Sequence, residues 1–232
     1  MHKNEVPKTF PNKDTSSETM LEKCLVVDAT DMVIGSLPKL DCHYRKKVRH
    51  RAFSVLLFDF DGRLLVQRRS AEKITFPKVW ANSCCSHPLD IAGENSDPIS
   101  GVIAAARRKL NQELGIAAEI TNDWEFHHVG KIEYSCQWDE NWGEWEIDHI
   151  LIVQAEVDVT LNTDEVSEVC WLTPSNLKSM MEGEGKWVGE IIAPWFRLIW
   201  QHFIVPREGN VVCSMPHANE AKIVSCGEVT LK

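Results

Sequence analysis

Residues 82–88 read Asn-Ser-Cys-Cys-Ser-His-Pro. Cys85 and His87 are two apart, so an extended backbone would set a thiol and an imidazole on one face. A thiol can exchange a proton and an imidazole can hold a metal. Each also has a plain structural reading, as a buried apolar thiol or a satisfied core imidazole. Adjacent Cys84 and Cys85 are poorly placed to bond to each other. The stretch alone therefore leaves disulfide, metal and proton-transfer roles open.

The segment Gly-Glu-Trp-Glu-Ile-Asp at 143–148 carries Glu144 and Glu146, again two apart. On a strand both carboxylates share a face, and their repulsion raises one pKa unless a cation lies between them. A solvated strand face is the bland alternative. Trp142 and Trp145 beside the pair favour a partly enclosed site. His43 and His50 are seven apart in a basic stretch, His-Tyr-Arg-Lys-Lys-Val-Arg-His. On a helix they would share a face, and on a loop they could wrap an ion. By itself that spacing most often means a basic loop.

Elements must position these groups. Residues 24–35 read as strand, turn, strand. Residues 52–69 read as a hairpin turning at Asp61-Gly62. Residues 97–116 read as a helix, capped by Asp97, with Pro98 in its first turn and Gly115 as its stop. Its apolar repeat runs Ile99, Ile103, Ala106, Leu110, Leu114. Strands are expected at 129–137, 146–156 and 169–172, then a helix capped by Thr173 and a final helix at 193–203. Strands with a few helices indicate a mixed α/β chain.

The chain has 232 residues, 44% of them hydrophobic and 25% charged, enough for one large core. A net charge of −9 argues against a general nucleic-acid surface. No apolar run is long enough to insert in a membrane, and the polar N-terminus has no secretory h-region. The cytoplasm is the default. The eight cysteines are therefore expected as reduced thiols, and without a Cys-x-x-Cys a zinc ribbon is not indicated. Residues 1–20 are expected as a mobile arm. Residues after about 206 show no clear pattern.

The helix end Arg-Arg-Lys-Leu-Asn-Gln-Glu-Leu-Gly-Ile resembles the end of a Nudix box. Arg108, Leu110, Glu113, Gly115 and Ile116 match. Lys109 and Gln112 replace two acids, and Ser100 stands where an upstream Glu would be. This favours the fold over the hydrolysis, because the acid cluster that holds magnesium is depleted. Taken in order, AFSVLLF, QRRSAEKITFPKVWANSCCSHP, ARRKLNQELGI, WGEWEID and APWF resemble the type I isopentenyl-diphosphate isomerases, over roughly residues 20–205.

The resemblance implies an α/β (α+β) fold, a Nudix-like mixed sheet flanked by helices. It implies a single domain over 21–205, between the arm at 1–20 and a tail at 206–232. The activity it implies is interconversion of isopentenyl and dimethylallyl diphosphate by protonation and deprotonation. Cys85 and Glu146 would be the acid/base pair, with Tyr134 and a cation-facing Trp195 in the active site. Lys39, Arg69, Lys73 and Ser86 would contact the diphosphate. Lys109, where an Arg is frequent, would be a weaker phosphate contact. His43, His50, His87, Glu144 and Glu146 would hold one divalent ion, zinc or manganese by donor type, with magnesium as a substitute. Glu113 would bind a magnesium that travels with the diphosphate.

The expected partner is a small-molecule diphosphate, with no nucleic acid and no membrane insertion. A monomer is expected, with organelle routing left open. A Nudix-type hydrolase and a binding protein that has lost turnover are the competing classes. Release of phosphate would mark the first. The filled reactive positions speak against the second.

Overall fold

The computed structural model describes residues 14–45, 47–207 and 222–230, with side chains from residue 18 onward. Helix α1 (Asp14–Leu21) leads into the hairpin β1 (Lys23–Val27) and β2 (Val33–Pro38), then α2 (Lys39–His43) and β3 (His50–Phe58). β4 (Leu64–Arg69) and two short strands, β5 (Trp80–Ala81) and β6 (Cys84–Ser86), precede α3 (Pro98–Leu114) and α4 (Ala118–Asn122). β7 (His127–Gln137), β8 (Gly143–Gln154), β9 (Val166–Leu172), α5 (Pro174–Glu182), α6 (Pro194–Ile199) and β10 (Ile223–Val229) complete the order.

β3 organises the sheet. All nine of its residues are buried, as an apolar run flanked on both sides requires. It pairs in parallel with β8, which places His50 opposite Glu146. It pairs antiparallel with β6, which places Ser54 opposite Cys85. The expected hairpin at Asp61-Gly62 turns as read, with Gly62 at φ 75°. Its strands then part after one pair, Phe58 with Leu64. The cysteine strand β6 occupies that edge of β3, and β4 goes instead to β9 and β5.

Two apolar layers cover the sheet. On one face α3 packs Val102, Ala105, Ala106, Leu110 and Leu114 against Phe53, Val55, Leu151 and Val153. On the other, α5 and α6 cover Leu56, Ile132, Tyr134 and Ile150. Helix α3 is capped as expected. The Asp97 side chain accepts from Ser100 N, and Gly115 closes the helix in the left-handed region. Its buried stripe is rotated from the apolar repeat, however. Ile99 and Ile103 are half-buried, whereas Lys109 and Glu113 lie on the buried face.

Three further expectations change. Of the arm at 1–20, residues 1–13 lie outside the described residues, and 14–21 form α1. The patternless stretch after 206 contains β10, which pairs in parallel with β7 from Lys131 to Cys136. The final helix is regular only to Ile199 and then widens into a π-type turn over Trp200–Ile204. No helix among the described residues is long and apolar enough to cross a membrane.

Candidate active site

The stretch containing His43 and His50 is neither one helix nor one loop. His43 ends α2 and His50 begins β3, and their ring centroids lie 4.7 Å apart. His43 Nδ1 donates to the Gly143 carbonyl at 3.0 Å and His50 Nδ1 to the Val48 carbonyl at 2.7 Å. In the neutral ring each of these bonds leaves the lone pair on Nε2. Both Nε2 atoms are buried; that of His43 finds no hydrogen-bond partner among the described residues, and that of His50 lies 3.4 Å from Glu146 Oε1. His87 enters from the end of β6, its Nε2 at 2.8 Å from Glu146 Oε1. One donor atom each from His43, His50, His87 and Glu146 lie within 4.8 Å of one another. Orphaned imidazole nitrogens facing a carboxylate form a donor set suited to a divalent transition ion.

Burial, then the neighbouring His50 and His87, holds His43 well below the usual imidazole range. Burial likewise lowers His87 to about 3. Burial would lower His50 too, but its bond to Glu146 outweighs this and raises it. Glu146 is buried, yet His50 and His87 keep it well below the carboxylate range. Neutral His43 and His87 beside an ionised Glu146 match the protonation pattern a metal needs, and His50 would release its proton as an ion binds.

Glu144, expected as a fifth ligand, stands outside that set. Its Oε1 lies 2.8 Å from Tyr134 Oη, which is also 2.8 Å from Glu146 Oε2. A phenol carries one hydrogen, so it can donate to only one of them. The other carboxyl must supply its own hydrogen to the phenol oxygen. Burial, then the charge of Glu146, pushes Glu144 well above the carboxylate range. The proton accordingly sits on Glu144, and the Tyr134 hydroxyl points to Glu146. Of the flanking aromatics, Trp145 turns to the opposite face, under the Arg49 guanidinium at 4.7 Å. Trp142 packs on Tyr44 with centroids 5.1 Å apart.

Cys85 faces the same cavity as Tyr134 and Glu146, while Cys84 points into the α3 layer. Burial pushes the Cys85 thiol up to about 12, against the pull of Arg69. Arg69 Nη1 stands 3.9 Å from Cys85 Sγ. The guanidinium is fixed by the carbonyls of Phe76 and Thr75, each at 3.0 Å. It also lies 5.7 Å from the centre of the Trp195 ring. Lys39, Arg69, Lys73 and Ser86 all line the cavity, which brings three cationic side chains into a wall that also carries Glu144, Glu146 and Asp148. Trp195 lines it as well, buried and meeting Phe76 edge-on at 5.3 Å.

Lys109 and Glu113 do not line it. Lys109 Nζ pairs with Glu113 Oε1 at 3.1 Å and Glu165 Oε1 at 3.6 Å, and Gln67 donates to Glu113 Oε2. Lys109, expected as a phosphate contact, is held in an ion pair inside the α3 layer, where a buried Glu113 needs a counter-charge. Glu165, unmarked in the sequence, also pairs with Lys73. Asp148 was missed too. It lines the cavity, accepts from Ser54 Oγ at 2.8 Å, and its Oδ1 finds no hydrogen-bond partner among the described residues. Extending the two-residue alternation of Glu144 and Glu146 by one step would have found it.

The NUDIX domain family matches residues 48–196. A Gibberella zeae protein named isopentenyl-diphosphate delta-isomerase IDI1 is 42% identical over 209 residues, 82% of this chain and 81% of that one. The Schizosaccharomyces pombe isopentenyl-diphosphate delta-isomerase is 40% identical, covering 80% of this chain and 82% of its own. An Arabidopsis thaliana relative at 41% identity, covering 79% and 67%, is named isopentenyl-diphosphate Delta-isomerase II, chloroplastic. Among solved structures, a Deinococcus radiodurans protein superposes with a TM-score of 0.57 at 17% identity, over 78% of this chain and 98% of that one. That likeness speaks to the fold alone.

Proposed function

Because the chain belongs to the isopentenyl-diphosphate delta-isomerase family, built on a NUDIX domain, we propose that Cys85 and the Glu146–Tyr134 pair move protons on a five-carbon diphosphate held between them. The enzyme interconverts isopentenyl and dimethylallyl diphosphate. The shift adds a proton at one carbon of an unactivated double bond and removes one from another. Two acid/base groups facing one cavity suit that task. The observation that carries this assignment is the presence of Cys85, Tyr134 and Glu146 around a cavity that Lys39, Arg69 and Lys73 also line.

Protonation leaves a tertiary cation or a species close to it. The buried Trp195 ring can face it, which is worth on the order of 2 kcal/mol when desolvated. Such a contact, made only near the transition state, speeds the step about 30-fold. On the acid side, Glu144 supplies the reserve proton and Tyr134 relays it, so Glu146 can stay ionised on its histidine side. Cys85 accepts a proton only as thiolate, and Arg69, then Lys73, favour that form.

His43, His50, His87 and Glu146 would hold the resident ion, with Glu144 behind Tyr134. When bound, that ion supplies positive charge that keeps Glu146 ionised. The imidazole-rich donor set favours zinc or manganese over magnesium. Magnesium bound with the diphosphate falls to Glu113, which Lys109 already neutralises, so this role requires Lys109 to move aside. Action as a monomer, in the cytoplasm or in an organelle, belongs to the same reading.

The test is incubation with isopentenyl diphosphate, magnesium and zinc or manganese in deuterated water. Deuterium-labelled dimethylallyl diphosphate is expected. No such product from wild-type protein sinks the assignment. Activity that survives Cys85→Ala but not Cys84→Ala would overturn the choice of thiol.

A further inference from the structure

Asn82 lies at the start of the cysteine stretch and touches neither the histidine cluster nor the diphosphate wall. It is fully buried. Its Nδ2 donates to the Val55 carbonyl at 3.1 Å and to the Cys84 carbonyl at 2.9 Å. Its Oδ1 accepts from Trp195 Nε1 at 3.0 Å. The amide has no freedom to flip. An indole N–H can only donate and two carbonyls can only accept, so the oxygen must face Trp195. Val55 and Cys84 are paired residues of β3 and β6, and Cys85 follows Cys84 directly. Trp195 comes from α6, over a hundred residues away in the chain.

We propose that Asn82 is a positioning residue that clamps the indole of Trp195 to the strand carrying Cys85, so that the proton acceptor and the cation-facing ring keep one fixed separation. This rests on the isomerase assignment of Cys85 and Trp195. The indole has one polar atom, and Asn82 is the partner that fixes it. Phe76 and Arg69 restrain the ring only by edge and face contacts. Without the clamp the ring can rotate within its layer. The binding of the diphosphate, held by Lys39, Arg69 and Lys73, is left alone. The effect belongs to kcat, because a misplaced ring costs only when the cation forms.

The experiment compares wild type, Asn82→Ala, Trp195→Phe and the double variant, all metal-loaded. Three quantities are read: kcat and KM for isopentenyl diphosphate, inhibition by inorganic pyrophosphate, and inhibition by a diphosphate bearing a protonated tertiary amine at the cationic carbon. Asn82→Ala should lower kcat about tenfold, the scale of one buried hydrogen bond. It should weaken the ammonium inhibitor by a similar factor and leave pyrophosphate inhibition within twofold. The two single losses should not multiply in the double variant, since each removes the same bond. A variant that is less heat-stable but unchanged in kcat and ammonium inhibition overturns the clamp, as do multiplicative losses. Should Asn82→Ala fail to fold, Trp195→Phe keeps a ring without the N–H. Unchanged kcat there overturns it equally. Wild-type turnover in the same assay separates failure of the clamp from failure of the isomerase assignment.

Discussion

Proton accounting at Tyr134 gives the sharpest residue-scale consequence. One hydroxyl joins Glu144 to Glu146, both at 2.8 Å. Tyr134→Phe keeps the ring and its packing but breaks the relay. It should lower kcat by about 10²–10⁴, the range of a lost general acid/base group, with KM little changed. Steady-state kinetics checks this, and a wild-type kcat would remove Tyr134 from the proton path. Lys73 supplies a pH dependence. Burial, and Arg69 beside it, lower its ammonium to about 8. Below that pH it is charged and can hold a diphosphate. Above it the charge goes, so pyrophosphate inhibition should weaken as pH rises through about 8. The sign for stability is opposite. The unfolded chain keeps the proton to a higher pH than the folded one, so this group adds stability on going upward from about 8. Glu165 pairs with Lys73 and pulls the other way. Glu165→Gln should therefore move the inhibition midpoint down, read from a pyrophosphate pH profile. A midpoint that stays put or rises would count against Lys73.

At the scale of elements, α3 shows where geometry overrides propensity. Gly101 sits inside the helix, where alanine is intrinsically better by about 1 kcal/mol. A Cβ at that position would meet the Glu94 carbonyl oxygen at 2.3 Å. That contact is with backbone, in a loop tied to α3 by the Arg108–Glu94 ion pair at 2.6 Å. Overpacking costs of about 1–3 kcal/mol should outweigh the propensity gain, so Gly101→Ala is expected to lower the melting temperature rather than raise it. Calorimetry decides the sign. The caps of α3 and α5 and the turn at Gly62 were legible because single residues dictate them. The parting of β3 and β4 was not, since it depends on β6, a three-residue strand whose polar ends give no periodic signal. Nor was Asp31 legible. It reads as a turn residue, yet it is buried and accepts from Arg51 and His149, each at 2.8 Å. Lys109 and Glu113 were expected at the diphosphate and its magnesium, because a buried ion pair leaves no mark in the sequence until its partners are known. The candidate reactive residues were legible through their two-residue spacing and the family resemblance. Asn82, Asp148 and Glu165 act through partners distant in sequence, and spacing carries no trace of that.

The whole molecule is tied together at its histidine cluster. His43 ends α2, His50 begins β3, His87 follows β6 and Glu146 lies in β8, so one ion would cross-link four separate segments. No single strand or helix builds the donor set, so the unfolded chain does not present it. An ion that binds only the folded state adds about 2.7 kcal/mol of stability at a hundredfold excess over Kd. For a domain of this size each kcal/mol corresponds to about 2–4 °C. Chelation should therefore lower the melting temperature by about 5–11 °C. The same shift should persist in Cys85→Ala, whose thiol is outside the donor set, and vanish in His43→Ala, whose lone pair is one of the four. Differential scanning calorimetry with and without chelator, on the three proteins side by side, separates the outcomes. A chelator shift that is equal in wild type and His43→Ala would mean that the ion binds elsewhere. No shift in wild type loaded with zinc or manganese would mean that the four segments hold together without an ion.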